Sequence, residues 1–187
     1  YYTYQNLNEE DIDFFKSLRD WETLNLECGK KIEIFHGTID SNRVGLYPDE
    51  AITNSYMNKS KSDIIICAHT HYQFLYEYND KILLNPGSVG LPLGSGGKSQ
   101  YAVLENDKWD VHIQLIQQDY SKDKICRDFE TSGLNNMARV YSKAIKKELI
   151  SGINYMPKIL YKAQELMYKY NYGGDSLNIP EICWEEA

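Results

Sequence analysis

The chain has 187 residues, 42% of them apolar, and a formal net charge of −7. That apolar fraction supports a packed core and excludes a disordered chain. The acidic balance excludes a generic basic nucleic-acid binder and disfavours an anionic membrane surface as partner, and no apolar run reaches the roughly 18–20 residues of a membrane helix. Four cysteines at 28, 67, 126 and 183 form no Cys-x-x-Cys pair, which argues against a zinc ribbon and suits a reducing, cytoplasmic setting. Sixteen tyrosines predict rings that line a groove or an interface while keeping a polar tip in water.

In chain order, residues 1–8 read as irregular. Glu9 to Asp20 places Ile12, Phe14, Phe15 and Leu18 at helical spacing behind an acidic first turn. A strand over Trp21–Cys28 then turns at Gly29-Lys30 into a second strand, 31–35, which His36-Gly37 closes. Residues 40–48 read as a loop, and Pro48–Asn58 as a short helix. The run Asp63-Ile64-Ile65-Ile66-Cys67-Ala68 is a buried strand candidate ending directly in His69-Thr70-His71. Segments 72–78 and 81–84 flank Asn79-Asp80, a two-residue hairpin signal. Asn85-Pro86-Gly87-Ser88 is a turn, Leu91–Lys98 with its three glycines a mobile loop, and 100–105 and 109–116 are strands. Near Tyr120 the composition shifts. Helices are expected over 121–133, over 136–151 with Val140, Ala144, Ile145 and Leu149 on one face, and from Pro157 to Gly173-Gly174; the tail from Ile179 adds a turn. This divides the chain into a core, residues 1–120, and a helical extension, residues 121–187.

Three of the four histidines stand at strand ends that open into loops, where open α/β sheets place their ligands. On extended chain, His69 and His71 would point to one side and reach one metal or two neighbouring metals. His36 on a parallel neighbour would bring a third imidazole. His112 falls mid-strand in an alternating segment and reads as structural. Asp40 and Asp63 read as loop and strand-edge residues rather than bridging carboxylates. Gly94-Ser95-Gly96-Gly97-Lys98 lacks the spacing and the strand-to-helix context of a phosphate loop.

The order strand–His36-Gly37, strand–Ala68-His69-Thr70-His71, hairpin, Asn85-Pro86-Gly87-Ser88-Val89-Gly90 resembles the calcineurin-like metallophosphoesterases, in particular their small bacterial and archaeal phosphodiesterase branch. Ala68 replaces the glycine usual there. The likeness covers about residues 9–133. It implies an α/β fold, the C-terminal half of a four-layer α/β/β/α sandwich, followed by the helical extension. It also implies a centre of two divalent metal ions, with manganese expected and iron, zinc or nickel as alternatives. His36 and His69 match ligands of the second metal and His71 a ligand of the first. The implied reaction is hydrolysis of a phosphoester by a metal-bridging hydroxide. The family's opening Asp-x-His, Gly-Asp and Gly-Asn-His motifs are not in this sequence, and the expectation is that they, with the catalytic histidine, lie upstream of Tyr1. The chain alone would then bind metal weakly and hydrolyse nothing.

Two alternatives stand beside this reading. One is a catalytically inactive scaffold of the same superfamily. The other is a mononuclear zinc hydrolase built on three histidines. The expected partner is a small phosphoester, and the apolar stripe of the C-terminal helices offers a surface for a homo-oligomer.

Overall fold

The computed structural model describes residues 2–173 and 178–187. The chain runs α1 (Tyr2–Gln5), α2 (Glu9–Ser17), β1 (Trp21–Asn25), β2 (Lys31–Phe35), α3 (Ala51–Lys59), β3 (Ile64–Ile66), β4 (Gln73–Tyr78) and β5 (Lys81–Pro86). It continues through β6 (Ser99–Asn106), β7 (Val111–Gln118), α4 (Lys122–Thr131), α5 (Leu134–Met137), α6 (Arg139–Ser151), α7 (Met156–Lys169) and α8 (Glu181–Glu186).

Five strands form one sheet in the order β1-β2-β3-β5-β4, and β6 and β7 pair as a separate antiparallel ribbon. The three central strands are parallel; β1 and β4 close the sheet antiparallel on either side. Ile32, Ile64 and Ile82 lie in register, as do Glu33, Ile65 and Leu83. The centre is therefore apolar on both faces apart from the buried Glu33 carboxylate. On one face Phe35, Ile65, Cys67 and Leu83 pack against Leu46 and the α3 residue Met57, with Tyr56, Phe74, Tyr76 and Tyr78 at the margin. The β6–β7 ribbon is tied to the sheet at both ends. Gln73 Nε2 donates to the carbonyls of Tyr101 and Ile116 at 3.0 and 3.1 Å, and Lys30 Nζ meets Asp110 Oδ1 at 2.9 Å.

Local chemistry accounts for most boundaries. Asn8 and Asp11 form a reciprocal capping box at the start of α2. Asn79 and Asp80 both take positive φ, the geometry of a tight hairpin whose twist matches its strands. Several expected limits are shifted. The first helix stops at Ser17 because the chain turns extended at Leu18 to enter β1. Asp49 takes positive φ, so α3 starts at Ala51 rather than at Pro48. A short helix, α1, occupies residues expected to be irregular. The strand expected over 63–68 is regular over Ile64–Ile66, and its hydrogen bonds to the neighbouring strands continue from Asp63 to Ala68. The chain leaves helix α7 at Lys169; of the expected Gly173-Gly174 stop, Gly174 lies outside the described residues.

Beyond the sheets, α4–α8 pack as a helical arm with its own core of Ala163, Leu166, Met167, Ile179 and Cys183. Buried Glu148 joins α6 to α7, its Oε1 accepting from the Tyr155 and Met156 backbone amides at 2.6 and 2.7 Å. The C-terminus of α6 is docked on the glycine-rich segment 91–98. Gly94 N–H donates to the Gly152 carbonyl at 2.8 Å, and Lys122 Nζ bridges the Ile150 and Gly96 carbonyls. That segment is therefore a packed connection, with Leu93 buried, where the glycine content predicted mobility. No helix among the described residues is long and apolar enough to cross a membrane.

Candidate metal centre

β2 delivers His36, and the segment after β3 delivers His69 and His71. The two segments are stitched directly: Ala68 N–H donates to the His36 carbonyl at 2.7 Å. Gly37 beside the first histidine admits a close backbone approach. A methyl group there would meet the Ser41 and Val44 carbonyl oxygens at 2.6 and 2.7 Å.

The rings of His36 and His69 meet edge-on, 5.3 Å between centroids, with His69 Nδ1 3.3 Å from His36 Nε2. His71 Nδ1 is held by the Leu91 carbonyl at 3.0 Å, so its Nε2 remains free to ligate. Burial, then the neighbouring charges of His69 and His71, push His36 below its ordinary value and favour the neutral, metal-ligating imidazole. The expectation of an extended His-Thr-His is corrected: both histidines take positive φ, 65° at His69 and 62° at His71. Such backbone is strained for a residue with a Cβ and persists only where its surroundings enforce it.

Asn85 supplies that enforcement; the turn expected over Asn85-Pro86-Gly87-Ser88 begins later, because β5 continues through Pro86. Asn85 is fully buried. Its Nδ2 donates to the Ala68 carbonyl at 2.9 Å and to Thr70 Oγ1 at 3.0 Å, while its Oδ1 accepts from Gly87 N–H at 2.9 Å. One side chain thus braces both the histidine segment and the turn after β5. Buried Gln100 continues the bracing, donating to the Leu93 carbonyl at 3.2 Å. The available signal was an Asn followed by Pro-Gly at the end of an apolar strand, a polar side chain placed where only a satisfied one is tolerated.

His112 lies opposite Glu105 in the β6–β7 ribbon, away from the cluster, as expected. Asp63 accepts from Lys31 N–H at 2.8 Å and is a strand-edge brace. Asp40 lines a hollow of about 520 Å³ with His36, Arg19 and Arg43. Among the described residues no group of three or more His, Cys, Asp or Glu side chains is arranged to hold one ion. Two histidines stand together, and the third is turned toward Leu91.

The model of the calcineurin-like phosphoesterase superfamily domain matches residues 6–108. The chain belongs to that superfamily. A curated relative from Methanothermobacter thermautotrophicus, described as a metallophosphoesterase, is 30% identical over 82 residues, 40% of this chain and 48% of the relative. Two solved structures share the fold. A hypothetical protein from Pyrococcus horikoshii OT3 has a TM-score of 0.64 at 18% identity, over 80% of this chain and 57% of that one. A metallophosphoesterase from Sphaerobacter thermophilus has a TM-score of 0.63 at 16% identity, over 80% and 64%. The chain thus spans about half the length of the curated relative it matches. The mixed α/β architecture expected from the family resemblance is the fold these two structures share, and the family membership implies phosphoester chemistry with divalent metal ions.

Proposed function

We propose that this chain supplies the histidine side of a two-metal phosphoesterase centre, residues 1–120 forming the C-terminal part of the catalytic core and residues 121–187 a helical extension. The observation that carries the reading is the His36–His69 contact of 3.3 Å beside an anchored His71. Adjacent imidazole nitrogens, one of them biased toward neutrality, suit a divalent ion of intermediate hardness. His36 and His69 would hold one ion, and His71 Nε2 would reach toward a second.

Ions held by His36, His69 and His71 would supply hydroxide at neutral pH and charge stabilisation at the phosphoryl oxygens. The chain's own residues prepare the ligands. Leu91 selects the His71 tautomer, Asn85 holds the strained His69-Thr70-His71 backbone, and the Ala68–His36 bond fixes the spacing of the two segments. Among the described residues no carboxylate completes the histidine cluster, so a working centre would need carboxylates from outside it. Manganese is the expected ion, a small phosphoester the expected substrate and the cytoplasm the expected location.

The test is manganese-dependent hydrolysis of bis(p-nitrophenyl) phosphate by the full natural protein, its His69→Ala variant and the 187-residue chain. Turnover in the full protein only, abolished by His69→Ala, supports the reading. Turnover by the 187-residue chain would mean that its own residues complete a centre. Inactivity of the full protein with manganese, iron, zinc and nickel would favour the scaffold reading.

A further inference from the structure

The segment between Gly37 and Leu46 runs beside the histidine cluster and is pinned to it at both ends. At its start, Thr38 N–H donates to the Ser41 carbonyl at 2.8 Å and Ser41 N–H donates to Thr38 Oγ1 at 3.0 Å. These bonds close a tight turn directly after His36-Gly37. At its far end Gly45 lies against the other histidine segment. A methyl group there would meet Thr70 Cγ2 at 2.8 Å and His69 Cδ2 at 3.5 Å. The segment is therefore a fixed wall of the site, held by its own turn and by contact with His69-Thr70.

This wall carries Arg43. Its backbone N–H donates to Ser41 Oγ at 3.2 Å, and its exposed side chain lines the hollow of about 520 Å³ that His36 also lines. Asp20 and Asp40 stand in the same lining, yet among the described residues Arg43 forms an ion pair with neither. Arg19, also in the lining, is already engaged by Glu22 at 2.8 Å. Arg43 thus brings to the side of His36 a guanidinium whose forked donors are not taken by a carboxylate. Such a fork matches two phosphoryl oxygens at once.

We propose that Arg43 holds the phosphate of the substrate at the histidine centre and sets how tightly the phosphoester binds. The inference rests on the reading of His36, His69 and His71 as metal ligands, and adds to it a residue that meets substrate without holding metal. With two arginines and two aspartates the lining has no net charge, so an anion gains there from directed hydrogen bonds rather than from bulk attraction. A lysine at position 43 would keep the charge and lose the fork. The oxygens Arg43 meets are anionic in the bound substrate and in the transition state alike, so its loss acts on KM rather than on kcat.

The experiment has two arms. In the first, the 187-residue chain in EDTA is titrated with inorganic phosphate and followed by the NMR signals of the arginine Nε–H groups. Arg43 Nε–H should shift and saturate with a midpoint below about 10 mM, while that of Arg127, exposed on α4, should not move. In the second, the full natural protein with manganese hydrolyses bis(p-nitrophenyl) phosphate. Arg43→Gln should raise KM at least about tenfold and leave kcat within about threefold. Arg43→Lys should fall between the two, and Arg19→Gln should leave KM within about twofold. Both arginines are exposed, so the melting temperatures should not change. A missing shift at Arg43, an equal shift at Arg127, a fall in kcat as large as the rise in KM, or an equal rise in Arg19→Gln would each overturn the proposal. A full protein inactive with every metal, beside a saturable Arg43 shift, would strike the phosphoesterase reading and retain Arg43 as an anion-binding residue.

Discussion

The histidine-bearing loops and the helical arm are both ordered, but by opposite means. Around the histidines, order comes from long-range hydrogen bonds made by a few buried polar side chains. Asn85 reaches back to Ala68 and Thr70, and Gln100 to Leu93. In the arm, order comes from helix packing on an apolar cluster and from contacts near in sequence, such as Glu148 with Tyr155 and Met156. The two meet where α6 docks on residues 94–97. Side chains held on strained backbone require the first kind of support. A packing module needs only the second.

Asn85→Ala is the sharpest way to break this contrast. It leaves Gly87 N–H unpaired and takes away one donor each from the Ala68 carbonyl and Thr70 Oγ1, which keep the Thr70 and Tyr72 amides, and about 2–3 kcal/mol of stability should be lost. Urea denaturation followed by tryptophan fluorescence measures it, and a shift under about 1 kcal/mol would remove Asn85 from its role as brace. Next is the joint. A methyl group at Gly97, at a φ of +77°, would collide with the Ile150 carbonyl oxygen, whereas Gly96 at φ +67° has open space. Gly97→Ala should cost about 2–3 kcal/mol and expose the arm to limited proteolysis, while Gly96→Ala costs only the left-handed backbone penalty of about 1–2 kcal/mol. Equal effects would show that α6 does not press on this segment.

Within the arm, Glu148→Ala frees two part-buried amides and should cost about 2 kcal/mol, read from the helical circular dichroism signal on thermal melting. A smaller effect concerns pH. His36 in the folded chain lies below its ordinary value of 6.5, so the unfolded chain binds the proton first as pH falls. Its contribution is fully present above 6.5 and is lost as pH drops through 6.5 toward the folded value. The urea midpoint should therefore decline between about pH 8 and about pH 5.5, and His36→Gln should flatten that decline. Smallest of all is Phe14→Ser. Phe14 is 59% exposed on α2, a helix with no buried residue, and the change should stay within about 0.5 kcal/mol in this chain.

The order of elements was legible because apolar periodicity and turn residues act over a few positions. The triple-isoleucine strand, the Asn79-Asp80 hairpin and the α7 stripe of Ala163, Leu166 and Met167 stand where spacing put them. The three histidines were legible as a group because two close a strand together and the third follows an equivalent strand. Their mutual placement was not. An extended reading of His69-Thr70-His71 aimed both rings to one side, whereas two left-handed residues turn His71 toward Leu91. No local pattern announces a left-handed histidine, because its cost is met by contacts from Asn85 to Ala68 and Thr70, 17 and 15 residues away in the chain.

By itself, then, the sequence determined an α/β core with histidines at strand ends and a helical appendage, since burial periodicity and turn chemistry are properties of neighbouring residues. Tertiary structure alone decided which strand lies beside which, with β5 inserted between β3 and β4. It also decided that His36 and His69 touch, and that Arg43 shares a hollow with His36. These follow from free energies of burial and hydrogen bonding between distant segments, which exist only once the chain has closed on itself.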